Sequence, residues 1–333
     1  MRKLSVFFVG IVLAFVFTFV GTPVVEAVAQ EQTVYVGGMS AGFTLKTRGA
    51  QIIGISEVVT ENGVYSPSSG VLKVGDIIQK AGGLPVEGIA DLNEIVGKSK
   101  GKELELEISR GMERLCVSIR AVKEKGSERY KIGVLVRENV SGIGTITYID
   151  KNGRFGALGH SVMGENNDEM GISGGTVYEC SIVGVNKGVR GKAGELHGMF
   201  LNDKKLGNAE KLNECGIFGM VAKEFCADSL TSLVASSYDV KPGNAYIYST
   251  VNGVIPKEYE IEIVKIDKCN KENKNYVIKI TDEELIRDTG GIVQGMSGSP
   301  IVQNGRLVGA VTHVFVNDPT RGYGIEIEKM LRE

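Results

Sequence analysis

Near its C-terminus the chain reads GMSGSPIVQNGRLVGAVTH, from Gly295 to His313. This stretch restricts the possible folds more than any other. Asn304-Gly305 between the apolar pairs Ile301-Val302 and Leu307-Val308 is a strong signal for a two-residue hairpin turn. The segment before it therefore has to be a short loop braced by a strand pair, with Pro300 setting its exit. Ser297 sits in that loop between Met296 and Gly298. Acyl transfer needs a serine held on such a loop and two backbone N–H groups aimed at a developing oxyanion. The amides of Gly295 and Ser297 are placed to supply them. The nucleophile elbow of the α/β hydrolases is excluded, because it requires glycine two residues beyond the serine and Ser299 stands there.

The rest of the chain is consistent with an all-β protein. Runs of Val, Ile and Thr are broken by Gly and Asn, which predicts many short strands. With 333 residues there is room for about two domains. Thirty-eight basic and 40 acidic residues give a net charge of −2, so no field for nucleic acid is expected. Arg2 and Lys3 precede an apolar run from Leu4 to Gly21, and Ala27-Val28-Ala29 offers a signal-peptidase site. Residues 1–29 are read as a signal peptide or a retained membrane anchor, and the remainder as exported. The five cysteines, Cys116, Cys180, Cys215, Cys226 and Cys269, are odd in number and lack metal-ligand spacing. They are read as free thiols, and no metal or organic cofactor is expected.

Residues 34–123 form the first expected domain. Gly75-Asp76 predicts a turn, Ile77-Ile78 opens a strand, and Leu92, Ile95 and Val96 follow helical spacing. Leu104, Leu106 and Ile108 then alternate as a half-buried strand. The LKVGDII and GGLPV segments resemble those of bacterial PDZ domains. That resemblance implies capture of a peptide by strand addition at a sheet edge. The expected receiving loop is Gly37, Gly38, Met39, Ser40, Ala41, Gly42 and Phe43, with its amides turned outward. Residues 124–131, charged and without an apolar run, read as a linker, and residues 132–333 as the second domain.

That second domain resembles the chymotrypsin-like peptidases. GMSGSP, a hairpin and VGAVT follow in the order of their serine segment, implying a double β-barrel. Met296 stands where those enzymes often carry the Asp that pairs with a freshly cut amino terminus, so that activation route is not expected. A serine is a poor nucleophile until a base takes its proton. Of the three histidines, His160 ends a strand that returns through Phe155 and Leu158 from the turn at Asn152-Gly153. GALGH there resembles the Ala-Ala-His corner of the same enzymes, making His160 the expected base. His197 lacks a supporting pattern. Gly291, Thr312 and His313 are expected to border the substrate groove. Asp203, Asp228, Asp239, Asp267, Asp282 and Asp288 lie between His160 and Ser297 as possible orienting acids. Asp282 also reads as part of a helix start, because Thr281 and Glu284 make a capping box.

GALGHSVMG, ITDEELIRDTGGIVQGMSGSPI and THVFVNDPTRGYGI together resemble the SpoIVB (stage IV sporulation protein B) peptidase family, as does the layout of leader, PDZ and peptidase. The resemblance implies a His160–Asp282–Ser297 triad, with Thr312 as a further holder of the acid if the geometry follows chymotrypsin. It implies an exported endopeptidase acting in the forespore intermembrane space, with protein substrates that include itself and a regulatory membrane protein. Cutting the latter releases an intramembrane protease that matures a late sigma factor. The competing expectations are a quality-control protease of the HtrA kind, which usually carries its PDZ domain after the protease, and a catalytically dead PDZ scaffold.

Overall fold

The structure, a computed structural model, describes residues 32–111, 113–160, 172–222 and 231–333. The expected leader, residues 1–29, and Cys226 and Asp228 lie outside them. Among the described residues no helix is long and apolar enough to cross a membrane.

The chain is mainly β, and its register closes two barrels. In the C-terminal barrel, Gly243–Ser249 pairs with Lys257–Ile266, which pairs with Tyr276–Ile280, which pairs with Asp318–Glu326. Asp318–Glu326 pairs with Arg306–Phe315, that strand with Pro300–Gln303, and Pro300–Gln303 returns to Gly243–Ser249. All six contacts are antiparallel, so the ring has no open edge. Strict alternation fills it: Ala245 and Ile247, Tyr259, Ile261 and Ile263, and Tyr276, Ile278 and Ile280 point inward and are buried. Asn304 and Gly305 have φ of 51° and 70°, as the hairpin reading requires.

The N-terminal barrel closes in the same way, through Ser40–Ile55, Val134–Asp150, Arg154–Ala157, Gly216–Val221, Glu195–Asn213, Ile172–Asn186 and back to Ser40–Ile55. One of its six strands therefore comes from before the PDZ-like segment. Residues 40–47 pair on one side with residues 139–145 and on the other with residues 172–179. The expected boundaries at 34–123 and 132–333 differ from this topology: the PDZ-like lobe is inserted into the peptidase barrel. A strand's pattern shows that it is a strand, but does not reveal which sheet it joins.

The inserted lobe has its own core of Ala50, Ile52, Leu72, Ile78, Leu92, Val96, Leu104, Leu106, Ile108 and Ile119. The helix α1 (Ile89–Ser99) buries Leu92 and Val96 on one face, in keeping with their spacing. Asp76 is buried and takes both Arg110 Nε and a second guanidinium nitrogen at 2.8 Å, a bidentate pair that also holds Lys73 N. The same two long strands run through both lobes. Residues 51–55 continue the barrel strand 40–47, and residues 134–137 pair with them at the lobe's side. The register slips between Arg137 and Asn139, where the ribbon passes from lobe to barrel. Glu138, at that slip, accepts from Ile89 N at 2.7 Å and caps α1.

The expected linker at 124–131 forms most of a small hairpin. Val122–Lys123 pairs with Tyr130–Lys131 as a small hairpin, tied by Lys123–Glu128 and Lys131–Glu124 ion pairs.

Candidate active site

The site lies where the two barrels meet. Gly295 to Ser299 leaves the C-terminal barrel as a loop and docks on the strand Val134–Asp150 of the other barrel. Thr145 N donates to Ser297 O at 2.9 Å, and Thr145 Oγ1 donates to Gly295 O at 2.9 Å. Thr147 Oγ1 donates to Gly298 O at 2.8 Å. Gly298 has φ of +95°, and a Cβ there would fall 2.1 Å from Thr145 O and 2.6 Å from Leu158 N. Only glycine lets the serine loop sit this close to the opposite barrel. On its other side the loop is stitched to its own barrel, by Gly298 N to Val311 O at 2.8 Å and Val311 N to Ser299 O at 2.9 Å. Ser299 Oγ bonds Ser249 Oγ at 3.0 Å in the interior. Met296 is fully buried in the C-terminal core. The position occupied by Asp in many chymotrypsin-like enzymes is thus an apolar anchor here.

Two amides of this loop are left over. Among the described residues, no group accepts from Gly295 N or Ser297 N, while the neighbouring amides of Met296 and Gly298 are bonded at 3.1 and 2.8 Å. That is the pattern an oxyanion hole requires. Ser297 Oγ is part-buried and donates to Thr312 O at 2.8 Å.

His160 reaches the same place from the N-terminal barrel. The strand Arg154–Ala157 ends at Leu158, which packs beside Gly298, and Gly159 lies against the Thr312 methyl. The next residue, His160, has its ring centroid 4.8 Å from that of His313, with the planes tilted by 39°. His313 directly follows the carbonyl that holds Ser297 Oγ. The fold thus gathers Ser297, Thr312, His313 and His160, which lie up to 153 positions apart in the chain. The His313 side chain is exposed as a whole, yet its packing lowers its pKa to about 4; burial is the larger cause, and the charges of His160 and Lys274 add to it. The imidazole is therefore neutral at neutral pH. Thr312 Oγ1 is buried without a hydrogen-bond partner.

Other expected site residues have backbone partners of their own. Asp282 is the N-cap of the helix α2 (Glu283–Thr289), where Oδ1 accepts from Leu285 N at 2.8 Å and Oδ2 from Glu260 N at 3.4 Å. The helix start is thus one residue later than the Thr281–Glu284 capping box predicts, with Asp282 and not Thr281 as the N-cap. Gly291 does not line a groove; it is buried with its backbone against Pro319, and Ile292 N donates to Pro319 O at 2.8 Å. The loop Gly37, Gly38, Met39, Ser40, Ala41, Gly42 and Phe43 is not a receiving edge of the PDZ-like lobe. Gly37 N and Gly38 N already donate to Thr147 O and Ile146 O at 2.9 and 2.8 Å, and Ala41 and Phe43 fill the N-terminal barrel core. A pair of glycines announces close backbone approach, but the approach here is to the chain's own barrel.

One feature of the site left no mark in the sequence. A groove of about 440 Å³ runs past Gly295, walled by Ile143, Leu196, Phe200 and Gln294, with His197 at its edge. Its walls come from two strands and a loop of unremarkable composition, so only their convergence makes a groove. The cysteines are bland by comparison: Cys180 is buried, and burial raises its pKa to about 11.

A solved structure, the PDZ domain of an SdrC-like protein from Listeria monocytogenes, is similar at 17% identity over 27% of this chain and 87% of that one, with a TM-score of 0.22. No curated protein matches the chain. The family model described as SpoIVB peptidase S55 matches residues 128–331, a span that holds His160, Asp282, Ser297 and both barrels except the strand contributed by residues 40–47. A serine loop with two free amides, seated between two closed barrels and inside that match, is what such a peptidase needs, and the chain belongs to the SpoIVB peptidase family of sporulation serine peptidases.

Proposed function

We propose that the protein is an exported serine endopeptidase of sporulation signalling, with Ser297 as nucleophile and His160 as base. The observation that carries this reading is the pair of amides at Gly295 and Ser297 that no described residue accepts from, beside a serine hydroxyl held by Thr312 O, next to the His313 ring that meets His160. Ser297 Oγ attacks the scissile carbonyl as His160 takes its proton. The two amides hold the oxyanion of the tetrahedral adduct. Protonated His160 then gives its proton to the leaving amine, and water, activated by the same imidazole, frees the acyl group. Asp282 is the acid that the family resemblance supplies. In the state described both of its oxygens accept backbone N–H groups, and each keeps a lone pair with which to accept from His160.

Family membership supports protein substrates, which we take to be the chain itself and the exposed part of a regulatory membrane protein whose cleavage frees an intramembrane protease acting on a late sigma factor. The site of action is the space between the two forespore membranes. The PDZ-like lobe holds a peptide of the substrate or of the leader. Because it shares two strands with the catalytic barrel, a peptide there has a direct mechanical route to Thr145 and the serine loop.

The test is labelling with a fluorophosphonate probe, together with mass spectrometry of the purified full chain. Wild type labels and trims its own N-terminal region, and Ser297→Ala loses both. A wild type that neither labels nor trims identifies a scaffold with a dead peptidase fold. Normal spore yield in a deletion strain, with labelling intact, points to quality control instead.

A further inference from the structure

We propose that the groove beside Gly295 is a specificity subsite, which takes one large apolar side chain of the substrate peptide close to the cut bond while the peptide backbone lies along the strand Glu195–Asn213. The proposal rests on the peptidase reading and names the substrate class of that same site.

Three observations lead to it. The first is continuity with the oxyanion amides. Gly295, which offers one of them, lines the groove. Gln294 N donates to Gly194 O at 2.8 Å and Leu196 N donates to Gln294 O at 2.9 Å, so one wall is stitched to the residue just before that amide. The facing wall, residues 141–143, lies on the strand whose Thr145 grips Ser297 O and Gly295 O. A peptide with its scissile carbonyl on Gly295 N advances about 3.3 Å per residue and reaches the groove within about two residues.

The second observation is unused strand edge. The short strands that close the N-terminal barrel, Arg154–Ala157 and Gly216–Val221, pair with their neighbours only from Ile146 and Gly207 onward. Before those points, residues 141–143 pair with residues 42–44, and residues 197–200 with residues 180–184. Among the described residues no strand takes the second edge of either, and the groove lies between them. An extended peptide binds such an edge through its main chain and is selected through its alternate side chains.

The third is the chemistry of the walls. Leu196 belongs to the core of the C-terminal barrel, and Ile143 and Phe200 pack against that core, so the apolar walls are braced. The volume of about 440 Å³ is that of a ligand-sized cleft. At Gly142, which also lines it, a Cβ would meet nothing within 4 Å. The exposed Glu195 carboxylate at the rim disfavours an acidic side chain.

The experiment digests a mixed peptide library with the full chain and reads the cut sites by mass spectrometry. Labelling by a small alkyl fluorophosphonate is measured in parallel, for wild type, Gly142→Val, Phe200→Leu and Ser297→Ala. Wild type selects Leu, Ile, Val, Met or Phe at one fixed position within about two residues of the cut, and rejects Asp and Glu there. Gly142→Val fills the groove with a side chain suited to a strand. Library cleavage relative to labelling then falls by about 10- to 100-fold, and the remaining cuts carry Gly, Ala or Ser at that position. Phe200→Leu shortens one wall and moves the selection toward larger side chains. Thermal melts show whether each variant is folded, and Phe200→Leu stands if Gly142→Val is not. A wild type that labels but selects no apolar residue, whether it cuts the library indiscriminately or not at all, overturns the proposal and leaves the peptidase reading intact. A selection unchanged in the folded variants does the same. An unlabelled wild type removes the peptidase reading and this one with it.

Discussion

Two glycine-bearing loops of this protein look alike in sequence and end in opposite states. Gly37–Phe43 and Gly295–Ser299 both combine glycine, methionine and serine, and both lead into a strand. At the first, the amides of Gly37 and Gly38 are consumed by Thr147 O and Ile146 O, and the chain is sealed into a barrel wall. At the second, Gly295 N and Ser297 N have no acceptor among the described residues, while the carbonyls of Gly295, Ser297 and Gly298 are all gripped by Thr145 and Thr147. Glycine permits close approach in both cases. What differs is which backbone groups the neighbour takes. Gripping a loop by its carbonyls leaves its amides facing the other way, and that turns a tight turn into a site for negative charge.

The comparison can be broken first at Gly298. Its missing Cβ would fall 2.1 Å from Thr145 O, so Gly298→Ala has to lift the serine loop from the N-terminal barrel. Labelling of Ser297 by a fluorophosphonate should drop by about 10²–10³-fold, the size of a lost oxyanion contact. A melting temperature close to wild type would show that the loss comes from geometry and not from unfolding. A near-normal rate would mean that the docking onto Thr145 is dispensable.

Gly37→Ala probes the other loop. A Cβ there would fall 2.1 Å from Ile146 O, inside a closed barrel. We expect a loss of about 1–3 kcal/mol in denaturant titration, from overpacking against backbone that cannot move away. Activity should fall only as the folded fraction falls. A stable variant that instead loses peptide binding would restore the receiving-loop reading of residues 37–43.

Smaller effects come from the helix cap and from His313. Asp282→Ala should cost about 1 kcal/mol of stability through the α2 cap. A loss of labelling far beyond that would place the acid in the chemistry. His313 has a folded pKa lowered to about 4, against about 6.5 for a free histidine. The unfolded chain therefore binds more protons between those values, and the His313 contribution to stability is full above pH 6.5 and is lost as pH falls toward 4. Melts of His313→Gln should lack that share of the acid slope. An identical slope in both proteins would show that other groups account for it.

Much of the local structure was legible in the chain. The Asn304-Gly305 hairpin, the helix carrying Leu92 and Val96, the alternating strand through Leu104, Leu106 and Ile108, and the strand return that ends at His160 all appear where periodicity and turn chemistry put them. These are short-range consequences of backbone sterics and of burying one face. The loop of Ser297 and the strand end before His160 were legible because each adjoins such an element.

Partnership between distant segments was not legible. Nothing in residues 40–47 says that they complete a barrel whose other strands begin near residue 139. The same alternation would suit a PDZ sheet, because a strand's pattern records that one face is buried and not what buries it. The ring contact of His160 with His313 and the groove beside Gly295 belong to the same class. By itself the sequence determined the elements, the serine loop and the family. Only the tertiary structure decided which backbone amides stay free and which imidazole meets which, because both depend on the register of strands far apart in the chain.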